Sequence, residues 1–217
     1  MKTFCVVMVL LLMGHGSQVI ADDPKGVRWT FEDAHVGQLP EGWSAAKTGT
    51  GKGSVWKIVE DATAPAGRNV LAQTSAEGPN ALFNLGILDE GTHGDVQISV
   101  SFKAVAGKID QGGGPIWRYQ DENNYYICRH NPLENNFRIY RVIDGKRTQL
   151  ASADVQAEAG TWHTISVTMK GDKITCAING KKLEVRDDTI AKPGKVGLWT
   201  KADAVTHFDD FQVTSVK

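Results

Sequence analysis

The feature that most constrains the fold is a succession of short segments rich in β-branched and aromatic residues, separated by Gly, Asn, Asp and Pro. Such segments with turn residues at close spacing are typical of antiparallel sandwiches and barrels. Few windows show a sustained helical period. The sequence therefore predicts an all-β antiparallel β-sandwich, with strands at 55–60, 69–74, 81–85, 95–104, 115–120, 125–131, 136–143, 161–170, 173–180, 195–200 and 205–216.

Three short sequences predict tight hairpin turns: DGK (144–146), KGDK (170–173) and NGKK (179–182). Asn and Gly tolerate the positive φ that these turns require, so the strands on either side should pair antiparallel. No proline-rich linker or shift in composition divides the chain. We therefore interpret residues 22–217 as a single domain.

Residues 1–21, MKTFCVVMVLLLMGHGSQVIA, have the features of a secretory signal peptide. Lys2 precedes an apolar run from Phe4 to Met13, and Ala21 ends a small-residue cleavage site. The run is well short of the roughly 20 residues that span a bilayer, which argues against an uncleaved anchor. We expect a secreted or periplasmic protein with no membrane span after signal removal.

The charge balance gives no reason to expect nucleic acid or an anionic membrane as a partner, since 24 Lys and Arg face 25 Asp and Glu. Signal removal leaves Cys128 and Cys176 as the only cysteines. An oxidising compartment permits a disulfide between them. Each lies in an apolar, strand-like segment where a buried free thiol is equally ordinary, so both alternatives stay open.

The segment WRYQDENNYYICR (117–129) is unusually rich in aromatic and arginine residues for a strand and its turn. We expect turns at 121–124 and 132–136, with Arg118 opposite Ile127 and Arg129 opposite Arg138. Alternation of side chains then places the candidate ligand-binding residues on one face: Arg118, Tyr125, Arg129, Arg138 and Tyr140. The other face collects core residues, namely Trp117, Tyr119, Tyr126, Cys128, Phe137 and Ile139, and a one-residue slip would bury arginines instead.

Rings and guanidinium groups on one face suit a carbohydrate. Aromatic rings stack on the C–H faces of sugars, and the planar guanidinium donates paired hydrogen bonds to hydroxyls or carboxylates. We therefore expect an oligo- or polysaccharide as the partner. The alternative is an ordinary solvated face whose arginines pair with Glu134, Asp121 or Asp144. Trp199 and Lys201, on a later strand, are candidates for the same face, although Trp199 is rather expected in the core.

Motifs of nucleophilic, zinc and phosphate-binding enzymes are missing from the sequence, which contains no H-E-x-x-H and no G-x-S-x-G. The carboxylate pattern E-x-D-x-x-E of glycanases is missing too. Asp121 and Glu134, in predicted loops beside the polar face, are the candidate catalytic acid or base of an alternative, glycoside-processing function. A structural or adhesion module that binds a protein is a third alternative.

Four segments carry a family resemblance: FEDAHVGQLPEGW (31–43), GGGPIWRYQDENNYYICR (112–129), AGTWHTISVTMKGDKITCAINGKKL (159–183) and GKVGLWTKADAVTHFDDFQV (194–213). Their order resembles the concanavalin A-like, laminin-G-type jelly roll, and within it the secreted bacterial domains grouped with 3-keto-disaccharide hydrolases. The resemblance implies a jelly roll, places Arg118 in a pocket, and sustains the enzyme alternative.

First and last strands lie side by side in such sandwiches, so Trp29 should pack near Phe211. The same pairing brings together four carboxylates, which either bind a cation or repel one another. The resemblance suggests a structural calcium ion at Glu32, Asp33, Asp209 and Asp210, although a solvated acidic surface is the alternative. No other cofactor is expected to be required.

Overall fold

A computed structural model of the chain describes residues 26–216, which form fifteen β-strands and no α-helix. The strands are β1 (Val27–Trp29), β2 (Trp43–Thr48), β3 (Trp56–Glu60), β4 (Asn69–Gln73), β5 (Phe83–Leu88), β6 (Val96–Ala106), β7 (Gly114–Asp121), β8 (Asn124–Asn131), β9 (Asn136–Ile143), β10 (Lys146–Asp154), β11 (Trp162–Lys170), β12 (Lys173–Ile178), β13 (Lys181–Arg186), β14 (Lys195–Lys201) and β15 (Val205–Ser215). Over this part of the chain, no helix could cross a bilayer. The predicted signal peptide lies outside the described residues.

Two antiparallel sheets pack face to face, which confirms the predicted all-β sandwich. The eight-stranded sheet has the order β13-β12-β11-β6-β15-β4-β3, with β1 added beside β15. The seven-stranded sheet has the order β10-β9-β8-β7-β14-β5-β2. The first and last strands lie side by side as expected: Trp29 pairs with Phe211, and their ring centroids lie 5.7 Å apart.

The main core lies between the sheets. Trp117 and Tyr126 of the seven-stranded sheet are buried there, stacked with their rings 5.6 Å apart. The Trp117 indole Nε1 donates to the sulfur of Met169 on the facing sheet, at 3.0 Å. Cys128 and Cys176 also lie in this core as free, buried thiols, and burial together with the neighbouring Cys176 thiol raises the pKa of Cys128.

The predicted hairpin turns are confirmed. Asp144 and Gly145 both have positive φ between β9 and β10, as Asn179 and Gly180 do between β12 and β13. The sequence did not predict β10 and β13 themselves. Both are edge strands with largely exposed side chains, so they lack the apolar alternation that marks an interior strand.

A β-bulge in β7 overturns part of the predicted register. Ile116 pairs with Ile127 and Trp117 with Tyr126, but pairing resumes only at Asp121 and Asn124. Within the bulge Arg118 has a φ of 48°, which is uncommon for a residue other than glycine. The predicted pairing of Arg118 with Ile127 is therefore wrong by two residues, because a bulge interrupts the alternation of side chains.

Candidate functional site

The face of the seven-stranded sheet that points away from the main core, here called the outer face, carries a second cluster of buried hydrophobic residues. Arg129 pairs with Arg138 and Ile127 with Tyr140, as the sequence predicted. Tyr125, Arg129, Arg138 and Tyr140 therefore share this face. The cluster consists of Phe83, Leu85, Ile87, Ile116, Tyr125, Ile127, Tyr140, Val142 and Trp199. Trp199 is fully buried, as expected, and it lies on the same face as Tyr125 and Tyr140.

The rings of the outer face are covered, which differs from the exposed stacking surface that the sequence suggested. Tyr125 is 0% exposed, and its hydroxyl lies 2.6 Å from the hydroxyl of Thr48. The Tyr140 hydroxyl accepts hydrogen bonds from Arg129 and Arg138, at 3.0 and 3.4 Å. The rings thus form a rigid base beneath polar groups.

Arg147 lies over this base. Its guanidinium carbon is 4.4 Å from the ring centroid of Tyr140, 5.1 Å from Phe83 and 5.6 Å from Trp199. Within residues 26–216 the guanidinium makes no hydrogen bond and no ion pair, and its Nη1 is enclosed without an acceptor. Cation–π attraction to the three rings is thus what holds Arg147 in place.

Arg147 was not among the residues predicted from the sequence, although the sequence carried a signal for it. The DGK turn fixes the β9–β10 hairpin, in which Arg147 pairs with Val142. Val142 belongs to the outer face, and directly paired residues on neighbouring strands point to the same side. Extending the predicted register across this turn would have added Arg147 to the candidate site.

A hydrogen-bonded network fixes the neighbouring arginines. Glu134 Oε2 lies 3.2 Å from Arg129 and 3.5 Å from Arg138, and accepts a hydrogen bond from Asn136 at 2.8 Å. The hydrogen bond from Asn136, together with the two arginines, lowers the pKa of Glu134 despite partial burial. Arg129 is only 2% exposed, and its Nε is a further enclosed donor without an acceptor. Glu134 and Arg138 are the partly exposed members of this network.

A second ion pair, between Asp110 and Lys201, lies close to these arginines. Lys201 Nζ is 3.0 Å from Asp110 Oδ2 and also donates to the side-chain oxygen of Asn80. Burial raises the pKa of Asp110, while Lys201 and the charges of Arg129 and Arg147 act in the opposite direction. The sequence analysis did not select Asp110 as a site residue, because its position depends on a loop that approaches β14 from far along the chain.

Arg118 does not join the outer face. Its guanidinium, 5% exposed, donates to the carbonyl oxygens of Gly94, Gly171 and Ile190 at 3.2, 3.0 and 2.8 Å. Gly171 belongs to the β11–β12 hairpin of the other sheet. Arg118 therefore connects the two sheets, and it makes no hydrogen bond with the polar network of the outer face.

The candidate catalytic carboxylates lie at opposite ends of β8. Asp121 accepts hydrogen bonds from the backbone of Asn123 and the side chain of Asn124 at the β7–β8 turn, at 2.8 and 2.9 Å. Glu134 lies in the β8–β9 turn. The eight residues of β8 correspond to roughly 24 Å of strand. Glycosidases hold their two carboxyl groups about 5–10 Å apart, so Asp121 and Glu134 do not form such a pair.

The terminal carboxylates are engaged by protein donors. Glu32 Oε1 accepts hydrogen bonds from the backbone of Arg68 and Asn69, both at 2.7 Å. Asp209 accepts one from the backbone of Ala66 at 2.8 Å, and Asp210 pairs with Arg28. Across residues 26–216, no three His, Cys, Asp or Glu side chains are grouped to hold a metal ion. Calcium at Glu32, Asp33, Asp209 and Asp210 stays a prediction.

Comparison of the coordinates with solved structures shows the same fold in carbohydrate-binding proteins. A carbohydrate-binding module, CBM66 from Bacillus subtilis, superposes with a TM-score of 0.63 at 13% identity, over 80% of this chain and 96% of that one. The exoplasmic/lumenal domain of VIP36, in its Ca²⁺/Man3GlcNAc-bound form, gives 0.55 at 10% identity, over 83% and 86%. A Bacillus subtilis protein of unknown function with a galectin-like fold gives 0.55 at 10% identity, over 80% and 89%. These likenesses confirm the concanavalin A-like jelly roll.

Comparison of the sequence identifies the family. Galactocerebrosidase from Danio rerio is 30% identical over 110 residues, which are 50% of this chain but only 16% of that protein. The chain therefore corresponds to about a sixth of the length of this relative. A match to the family described as "Galactocerebrosidase, C-terminal lectin domain" extends over residues 93–216, from the start of β6 to the end of β15. Since this match covers more than half of the chain, the protein belongs to that lectin-domain family.

Proposed function

We propose that this protein is a carbohydrate-binding module and that its glycan lies on the outer face, beside Glu134, Arg138 and Arg147. The observation that carries the proposal is a polar surface fixed on a rigid ring cluster, with the donors of Arg147 left without protein acceptors. Membership of a lectin-domain family supports it. The CBM66 and glycan-bound VIP36 structures supply the same fold in carbohydrate-binding proteins.

The chemistry of the three groups suits a sugar. A guanidinium group donates two parallel hydrogen bonds, which match neighbouring hydroxyl oxygens. The carboxylate of Glu134, half exposed, accepts hydrogen bonds from hydroxyl groups. Because Asn136 and Arg129 already hold Glu134, binding requires little ordering of side chains, and this reduces the entropic cost of association.

Catalysis is the alternative that the same experiment should test. Asp121 and Glu134 are too far apart to cooperate as a pair, but a single carboxylate acting with a different partner would still turn over a substrate. The activity of a whole galactocerebrosidase is not carried over, because this chain corresponds to a small part of that protein. A third possibility is an adhesion module that binds a protein instead of a glycan.

Saturation-transfer NMR with a panel of oligosaccharides, including 3-keto glycosides, separates these functions. We expect transfer to at least one glycan without new anomeric signals. Replacing Glu134 by Gln together with Arg138 by Met should abolish the transfer. Arg186→Met is the matched control, since Arg186 is exposed on β13 of the other sheet. New anomeric peaks would favour the enzyme, and unchanged binding by the double variant would place the glycan elsewhere.

We also propose that the protein is exported to a secreted or periplasmic location. The proposal rests on the charged start, short apolar run and small-residue site of residues 1–21. N-terminal sequencing of the exported protein should begin at Asp22. Recovery of the intact N-terminus from the membrane fraction would contradict cleavage.

A further inference from the structure

The charges of the outer face are unequal. Four cations lie there or on its border, Arg129, Arg138, Arg147 and Lys201, against three carboxylates, Asp110, Glu134 and the exposed Asp154, which is paired with Asn136 across the strands. Glu134 is shared by Arg129 and Arg138, and Asp110 pairs with Lys201. No carboxylate in the described part of the chain forms an ion pair with Arg147.

The side chain of Arg147 packs against three aromatic rings, but its N–H groups have no hydrogen-bond acceptor among the described residues. An arginine is always charged in a protein and carries five N–H donors and no acceptor. The three rings beneath it attract the cation through their faces, but they supply no oxygen for these donors. Leaving polar donors partly buried without acceptors costs free energy. Arg147 is nevertheless only partly enclosed, so a bound group can approach it from solvent.

Building on the proposed function, we infer that the glycan bound by this protein carries an anionic group, a carboxylate or a sulfate ester, and that this group pairs with Arg147. An anion supplies both the acceptors and the opposite charge that the outer face lacks. A planar guanidinium is the side chain best suited to bind a carboxylate or an oxyanion through two parallel hydrogen bonds.

A neutral sugar would meet only half of this requirement. Its hydroxyl groups accept hydrogen bonds from Arg147, but they leave the excess positive charge uncompensated. An anionic group adds Coulomb attraction to the hydrogen bonds of the guanidinium, and a neutral hydroxyl group does not. An acidic glycan should therefore bind more tightly than an uncharged glycan of the same shape, by at least about tenfold.

Matched pairs of ligands test the inference by isothermal titration calorimetry. The pairs are trigalacturonic acid with its methyl ester, 3′-sialyllactose with lactose, and a sulfated galactan trisaccharide with its desulfated form. In at least one pair the acidic member should bind the wild-type protein at least about tenfold more tightly. A preference confined to the carboxylates or to the sulfated sugar identifies the anionic group.

Three variants connect the preference to Arg147. Arg147→Met keeps the apolar contact with the rings and should remove the preference for the acidic member, whereas Arg147→Lys should retain part of it. Arg186→Met, on the other sheet, should leave the preference unchanged. Should Arg147→Met fail to fold, the salt dependence of the wild-type protein replaces it, and affinity for the acidic member should fall as NaCl rises.

The outcomes separate this inference from the proposed function. Equal affinity for both members of every pair would overturn the anionic ligand while leaving a neutral-glycan module intact. A preference that survives in Arg147→Met would overturn the role of that residue. No detectable binding of any sugar, charged or neutral, would overturn the inference together with the carbohydrate-binding function.

Discussion

Replacing Arg118 by methionine is expected to destabilise the sandwich and to leave glycan binding unchanged. The guanidinium donates to three carbonyl oxygens that belong to the β6 approach, the β11–β12 hairpin and the segment before β14. Methionine keeps most of the aliphatic stem but none of the donors. Strand β7 would lose its side-chain connection to all three of these segments.

The magnitude follows from the surroundings of the three acceptors. Ile190 is buried, so its carbonyl oxygen would lose its partner without gaining water, at about 1–3 kcal/mol. Gly94 and Gly171 are more exposed and can be rehydrated, which limits each loss to roughly 0.5–1 kcal/mol. The expected decrease in the free energy of unfolding is therefore about 3 kcal/mol.

Urea denaturation followed by tryptophan fluorescence measures this loss. With a slope of about 2 kcal/mol per molar urea, the midpoint should fall by roughly 1.5 M while the slope stays unchanged. Arg186→Met is the control, because the Arg186 side chain is 70% exposed and its surface ion pair is worth less than about 1 kcal/mol. Calorimetry of both variants with the tightest glycan of the panel completes the comparison.

Two results would refute the reasoning. A loss of stability below about 1 kcal/mol would mean that water already reaches the carbonyl oxygens. Loss of glycan affinity in a variant of undiminished stability would restore the binding role that the sequence predicted for Arg118.

Three further predictions concern other parts of the fold. Lowering the pH from 7 to 5 should lower the melting temperature, because burial holds the pKa of His207 below its usual value and the folded state favours the neutral imidazole. His207→Gln should reduce this dependence of the melting temperature on pH, as measured by fluorimetry. Gly114→Ala should lower the melting temperature sharply, because an added Cβ would lie 2.1 Å from a carbonyl oxygen of β8; Gly94→Ala, whose Cβ meets nothing nearer than 3.7 Å, should be tolerated. Exhaustive treatment with EDTA tests the terminal calcium site: a bound ion predicts a fall in melting temperature that Ca²⁺ reverses, and an unchanged melting temperature would contradict the site.

The sequence predicted much of the outer face because its logic is local. Short turns at both ends of β8 and the two-residue period of strands placed Tyr125, Arg129, Arg138 and Tyr140 together. The predicted position of Arg118 was wrong, because a bulge shifts the alternation of side chains in β7 and no residue pattern predicts this bulge. Arg147 could have been predicted by the same reasoning, had the register been extended across the β9–β10 hairpin.

The exposure of the rings could not be predicted in this way. The sequence shows that Tyr125 and Tyr140 share a face, but Thr48, beside Tyr125, comes from β2, and Arg147, over the Tyr140 ring, comes from β10. The sequence did name Glu134 as a partner of the arginines, and Glu134 pairs with Arg129 and Arg138, but the pairing of Asp110 with Lys201 could not be predicted. Glu134 and Arg129 are five residues apart, whereas Asp110 and Lys201 are separated by 91 residues.

The sequence by itself determined most of the interior strands, the tight turns and the face shared by Tyr125, Arg129, Arg138 and Tyr140, because these depend on backbone preferences and on a period of two over neighbouring residues. Only the tertiary structure decided that Arg118 joins the two sheets and that Arg147 remains without an acid. Both outcomes depend on the approach of segments that are remote along the chain, such as Ile190 to Arg118 and Phe83 to Arg147. No local pattern encodes such distances, because they arise when the two sheets pack and fix every charge relative to the others.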